Sequence, residues 1–140
     1  MKSIALLLAF MLTLTTGCTP AKNADVETFI TAHGAVITDI VKIVTDDPSV
    51  QGVEKAQRYF DGKRADLRAK EEKFNKVSAS DVPEAQMKQF LDQLWKDNDK
   101  LFGPLTDLKS QPTWTEDAIG KYNRLIADVR NRVPGDGGGK

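Results

Sequence analysis

The sequence predicts an all-α protein, folded as an antiparallel up-down-up-down four-helix bundle. Apolar residues recur at three- and four-residue spacing in four long segments, which is the period of a helix with one buried face. Alternating runs of β-branched residues, which are typical of strands, are absent. The segments are joined by three short connections, and short connections make consecutive helices pack antiparallel. We expect the bundle to occupy residues 24–133.

The first helix is predicted over residues 24–45. Its apolar residues line one face of a helix: Val26, Phe29, Ile30, Ile37, Ile40, Val41 and Val44. Pro48 ends this helix, because proline disfavours helical backbone in the residue before it. Asp47 is then expected to cap the second helix, with Pro48 at its first position.

The second helix is predicted over residues 48–77. Four apolar residues repeat at seven-residue spacing and form a narrow seam: Val53, Phe60, Leu67 and Phe74. At this length the helix approaches 45 Å, whereas about 30 Å is expected for the others. It must therefore overhang, end early or bend, and a bend at Gly62 is the favoured interpretation.

The third and fourth helices are predicted over residues 82–102 and 114–132. Asp81 with Glu84 and Thr113 with Glu116 have the spacing of capping boxes. The third helix is expected to bury seven apolar residues: Met87, Phe90, Leu91, Leu94, Trp95, Leu101 and Phe102. Pro134 ends the fourth helix, and the glycine-rich residues 134–140 are expected to be disordered.

The first 17 residues have the pattern of a cleaved export signal. A positive start at Lys2 precedes an apolar run over residues 4–14, which is too short to span a bilayer, since spanning takes roughly 20 apolar residues. Small residues, Thr15-Thr16-Gly17, then precede Cys18, the only cysteine. Cleavage is expected between Gly17 and Cys18, with residues 18–23 as a tether.

The segment Thr15-Thr16-Gly17-Cys18 resembles the lipobox of bacterial lipoproteins, although the third position before the cysteine is usually leucine and here is threonine. The resemblance implies a lipid on the Cys18 thiol and attachment of the protein to a membrane of the cell envelope. In lipoproteins of enteric-type bacteria an aspartate after the cysteine retains the protein in the inner membrane. Thr19 therefore favours the outer membrane, facing the periplasm, if the cell has two membranes.

Composition argues against nucleic-acid binding. Removal of Lys2 with the signal leaves 19 basic residues against 20 acidic ones, a net charge of −1. Such a chain has no overall positive field to attract a polyanion. The expected partners are instead the membrane, through Cys18, and a protein or the cell wall.

No arrangement of residues indicates an enzyme. No serine has a suitable histidine and acid, the Cys18 thiol would carry lipid, and acidic pairs such as Asp97 with Asp99 are expected to be solvated. The histidine-containing motifs of covalently attached haem and of dimetal bundles are absent, so no metal is expected. The main hypothesis is a non-enzymatic envelope lipoprotein with a helical interaction domain and no cofactor.

His33, the only histidine, lies on the apolar face of the first helix and leaves an alternative open. It could be an axial ligand of haem inside the bundle, with Met87 opposite. It could equally be a core histidine that is hydrogen-bonded to a polar neighbour. The alternative function is therefore the binding of haem or another apolar small ligand, with aromatic residues lining one end of the bundle: Trp95, Phe102, Trp114 and Tyr122.

Overall fold

The computed structural model describes residues 20–78 and 80–131. Four main helices and two short elements follow one another: α1 (Pro20–Asp46), α2 (Val50–Phe74), α3 (Glu84–Asp99), a 3₁₀ turn (Lys100–Phe102), α4 (Gly103–Asp107) and α5 (Glu116–Arg130). These two stretches contain no strand. The prediction of an all-α four-helix bundle is confirmed.

The contacts between helices are compatible with an up-down-up-down arrangement. α1 packs on α2 and α3, and α2 packs on α5. Glu54 pairs with Lys121, and Arg64, further along α2, pairs with Asp128, further along α5. The two helices therefore run parallel. Lys22 pairs with Asp81 just before α3, and residue 33 of α1 meets residue 98 of α3, so these two helices also run parallel.

The buried apolar residues form two clusters. The large cluster joins the carboxyl-terminal half of α1 to α2, α5 and the turns before α5, and Phe60, Leu101 and Tyr122 lie fully buried within it. The small cluster joins the start of α1 to the end of α2 and to α3, and comprises Val26, Phe29, Ile30, Phe74, Val82 and Leu94. The apolar faces read from the sequence therefore meet in the interior.

α2 begins later and ends earlier than predicted. Ser49, not Asp47, is the capping residue, and its hydroxyl accepts a hydrogen bond from the backbone N–H of Gly52 at 3.3 Å. Gly52 packs so closely on the preceding turn that a Cβ there would lie 1.8 Å from the carbonyl oxygen of Asp47. The helix runs on through Gly62 without interruption and ends at Phe74. At 25 residues it spans about 37 Å instead of the predicted length of about 45 Å, and this shorter length removes most of the expected overhang.

The caps of α3 and α5 also differ from the prediction. The side chain of Thr115, two residues beyond the expected Thr113, accepts from the N–H of Ala118 at 3.3 Å. Asp81 does not cap α3, because its carboxylate accepts from the backbone N–H and the hydroxyl of Ser78, at 2.7 and 2.8 Å. These hydrogen bonds, with one from Lys22, lower the pKa of Asp81 to about 2.

Two aromatic residues of the predicted core lie at the surface. Trp95 and Phe102 are 41% and 39% exposed, so the expectation that both are buried is wrong. Trp95 is exposed because α3 has α1 as its main helical neighbour and turns its far side to solvent. Phe102 lies beyond α3, in the 3₁₀ turn, where the guanidinium carbon of Arg130 lies 5.5 Å from its ring centroid. Trp114 and Tyr122 are buried instead, with ring centroids 5.6 Å apart in an edge arrangement.

α1 is an apolar helix near the amino terminus, compatible with a signal or membrane anchor. The stretch Lys22–Asp46 is long and apolar enough to cross a bilayer. In the bundle, however, Val26, Phe29 and Ile40 of this helix are fully buried against its neighbours. Packing in a protein core is thus sufficient to explain its apolar composition.

Candidate functional site: a buried polar layer and an apolar stripe on α3

A layer of three polar residues separates the two apolar clusters. His33 of α1 and Asn98 of α3 are each 1% exposed, and Asp97 is 5% exposed. The Nε2 atom of His33 lies 3.2 Å from the amide oxygen of Asn98. Of the two interpretations of His33, the hydrogen bond to a polar neighbour is the one the structure contains. We call His33, Asp97 and Asn98 the polar layer.

α1 and α3 approach each other closely at the polar layer. A Cβ on Gly34 would lie 2.6 Å from the carboxylate oxygen Oδ2 of Asp97, so any larger residue at position 34 would displace that carboxylate. The Asp97 carboxylate accepts hydrogen bonds from Gln93 at 3.0 Å and Lys100 at 2.6 Å. The expectation that Asp97 is a solvated surface charge is therefore wrong.

Burial and nearby positive charge act in opposite directions on the pKa of Asp97, the acidic residue of the polar layer. Burial raises the pKa of Asp97, but the hydrogen bonds from Gln93 and Lys100, together with the charge of Lys100, outweigh it and leave that pKa below its usual value. The carboxylate is consequently ionised at neutral pH.

His33 is held in its neutral form. Burial lowers the pKa of its ring below the ordinary value of 6.5, and this effect exceeds the opposing influence of the Asn98 hydrogen bond and the Asp97 charge. Within the described residues, His33 Nδ1 and the amide nitrogen of Asn98 are buried without a hydrogen-bond partner. The layer therefore stabilises the fold less than a fully paired one would.

The polar layer makes stability depend on pH in a defined window. The unfolded chain protonates His33 near its ordinary pKa of 6.5 and the folded chain does so only at lower pH, so acid favours the unfolded state. We expect the free energy of unfolding to be constant above about pH 7.5 and to fall towards about pH 5.5, by no more than about 1.4 kcal/mol per pH unit. Urea denaturation at a series of pH values measures this slope.

His33→Gln is the matched control, since glutamine keeps a polar partner for Asn98 and does not titrate. Because the chain has one histidine, this variant should lose the slope. The carboxylates with lowered pKa values, such as Asp81 and Asp97, titrate at lower pH and leave this window unaffected. A slope that persists in His33→Gln would contradict the assignment.

An apolar stripe runs along the edge of α3, between the small cluster and solvent. Met87, Leu91 and Trp95 follow one another at four-residue spacing, and we call them the α3 stripe. With Val82, Glu84, Lys88 and Asp92 they line a shallow groove of about 520 Å³. The lining of the groove is mainly apolar, and Trp95 is 41% exposed. This face therefore carries apolar surface that the bundle does not bury.

The structure does not bring His33 and Met87 together. Met87 lines the groove and packs against the small cluster, whereas His33 meets Asn98 in the polar layer. Met87 lies eleven residues before Asn98 on α3, about 16 Å along the helix. The two residues of the predicted ligand pair therefore lie at different heights along α3 in this structure.

The other predicted sites have different outcomes. Gly17 and Cys18, the predicted cleavage and lipidation positions, lie outside the described residues, as do residues 134–140. Among residues 20–78 and 80–131, no group of three or more histidine, cysteine, aspartate or glutamate side chains is placed to hold a metal ion. Sequence reasoning missed Asn98 and Gly34, since neither their types nor their spacing distinguishes them from other helical residues.

Comparison with known proteins adds no further assignment. No family model matches the chain, and neither the curated proteins nor the solved structures include one with significant similarity to it.

Proposed function

We propose that the protein is a lipid-anchored, non-enzymatic component of the bacterial cell envelope whose helical bundle presents an interaction surface. The observation that carries the proposal is the export-signal pattern ending in a single cysteine, Cys18, two residues before α1 begins at Pro20. A bundle placed so close to its anchor would be held at the membrane surface. Two or three acyl chains suffice for stable anchoring, whereas one binds only reversibly.

The α3 stripe supports the interaction role. The interior of the bundle is filled by the two clusters and the polar layer, and the apolar groove lies outside, on α3. An apolar surface bordered by charged residues is typical of protein contact sites. A protein partner on this face fits the observation better than a ligand within the bundle.

Labelling cells with radioactive palmitate tests the anchor. We expect the wild-type protein to take up label and to sediment with membranes, and mass spectrometry to find the lipid on the residue that follows Gly17. Cys18→Ser should abolish both the label and cleavage before residue 18. An unmodified thiol in the mature wild-type protein would refute the anchor.

Thr19 provides a test of the membrane to which the protein is sorted. In an enteric-type cell, which has two membranes, we expect wild-type protein in the outer-membrane fraction and Thr19→Asp in the inner-membrane fraction. The reason is that an aspartate after the lipidated cysteine retains lipoproteins of such bacteria in the inner membrane. Thr19→Ser, which adds no charge, is the matched control and should follow the wild type. If all three proteins co-fractionate, residue 19 does not determine sorting.

A further inference from the structure

We propose that the α3 stripe is the contact surface of a homodimer, in which α3 packs antiparallel on α3 of a second copy about a two-fold axis. This inference names the partner for the surface described above, and rests on the proposed function only in taking that surface to be an interaction site. It does not require the lipid on Cys18.

The charge pattern beside the stripe carries the inference. Glu84, Lys88, Asp92 and Lys96 follow one another at four-residue spacing, so their charges alternate along one ridge of the helix. In an antiparallel pair centred near residue 90, Glu84 faces Lys96 of the second copy and Lys88 faces its Asp92. Every facing pair is then of opposite charge. A two-fold axis requires this self-complementarity, because residue i must contact j while j contacts i.

The apolar residues share nearly the same centre. Leu91 lies midway between Met87 and Trp95, so in the antiparallel pair Leu91 meets its own copy and Met87 meets Trp95. The charges centre on residue 90 and the stripe on residue 91, so the two patterns indicate registers that differ by about one residue.

Within a single chain, only two of these four charged residues form an ion pair with each other among the described residues. Lys88 pairs with Asp92 within α3 at 2.6 Å, but the structure gives Glu84 and Lys96 no ion-pair partner among the described residues. Glu84 and Lys96 are twelve residues apart, about 18 Å along the helix, and cannot pair within one chain. A second copy supplies the opposite charge to both.

One helix from each copy makes a small interface, so we expect a weak and concentration-dependent dimer. Confinement to a membrane would raise the effective concentration. Because α1 runs parallel to α3, the two amino termini lie at opposite ends of the antiparallel pair. One bilayer can therefore hold both anchors when the helices lie along its surface.

Disulfide crosslinking of the full-length protein in cells tests the contact. Leu91→Cys places a thiol at the two-fold axis, and mild oxidation should give a dimer of the protein on a non-reducing gel. Gln89→Cys is the matched control, because Gln89 is exposed on the same helix but away from the stripe, and it should crosslink much less. Two differently tagged copies establish that both halves are this chain.

Charge reversal then tests the register. In the Leu91→Cys background, Glu84→Lys and Lys96→Glu should each weaken dimerisation about tenfold, since two attractive pairs become repulsive. Co-expression of the two variants should restore the crosslink, because each chain then offers the charge that the other lacks. Circular dichroism of each variant shows whether the fold is retained.

Three results would overturn the homodimer: no rescue on co-expression, equal crosslinking of Gln89→Cys, or a crosslink from Leu91→Cys to a different protein. The unmodified protein is carried through the same oxidation. A dimer from that sample would mean that Cys18 has a free thiol, which contradicts the proposed anchor. In that case the charge variants would decide whether the α3 contact exists. Palmitate labelling of the α3 variants should be unchanged, so the two proposals fail independently.

Discussion

Gly52→Ala should lower the free energy of unfolding by about 3 kcal/mol, whereas Gly62→Ala should raise it by about 0.5 to 1 kcal/mol. Both glycines lie in α2, but their surroundings differ. The new Cβ at residue 52 would lie 1.8 Å from the backbone carbonyl oxygen of Asp47, and backbone cannot move aside as a flexible side chain does. At residue 62 nothing lies within 4 Å of the added methyl group.

Urea denaturation followed by circular dichroism measures both changes. Gly62→Ala is the internal control, because it makes the same chemical change in the same helix and gains only the helix propensity of alanine. The denaturant slopes should match that of the wild type, so that a shift of the unfolding midpoint reports a change in stability alone. Equal stability of the two variants would mean that α2 does not approach the turn at Asp47 in solution.

The contrast between these glycines shows what the sequence could predict. The four helices follow from the spacing of apolar residues, which is a local property, and the structure contains all four. The positions of the caps depend on the path of the preceding turn. Asp47 and Ser49 are both good capping residues, and the packing of Gly52 against the turn accompanies capping by Ser49.

Exposure on α3 could not be predicted for a similar reason. Periodicity identifies an apolar face but does not tell how much of it a neighbour covers. Leu94 is fully buried, while Trp95, the next residue, is 41% exposed, because α1 covers only one side of α3. Trp95 on this uncovered side forms the α3 stripe together with Met87 and Leu91, which are partly buried against the small cluster.

The candidate site could be predicted only in part. A polar neighbour for His33 was one of two interpretations, and the hydrogen bond to Asn98 confirms it. The identity of that neighbour depends on the rotation of α3 relative to α1, which a sequence does not give. The same rotation directs Asp97 towards Gly34 and removes it from the surface on which the sequence placed it.

His33→Leu and Asn98→Leu should each destabilise the protein by about 1.5 kcal/mol, and the double variant should return to about wild-type stability. Each single change leaves the other polar side chain buried with no hydrogen-bond partner in place of the 3.2 Å contact. The double change removes both partners together with their unpaired atoms, Nδ1 of His33 and the amide nitrogen of Asn98. It also joins the two apolar clusters.

The measurement is a double-mutant cycle by urea denaturation, and the expected coupling energy is about 3 kcal/mol. His33→Leu combined with Tyr122→Phe is the additive control, because Tyr122 donates its hydroxyl to the carbonyl oxygen of Leu101 and shares no partner with His33. A double variant as unstable as the sum of the two single variants would show that His33 and Asn98 do not depend on each other. Restored stability would instead mean that the His33–Asn98 pair adds no net stability to the bundle, so that its hydrogen bond acts mainly to fix the register of α1 against α3.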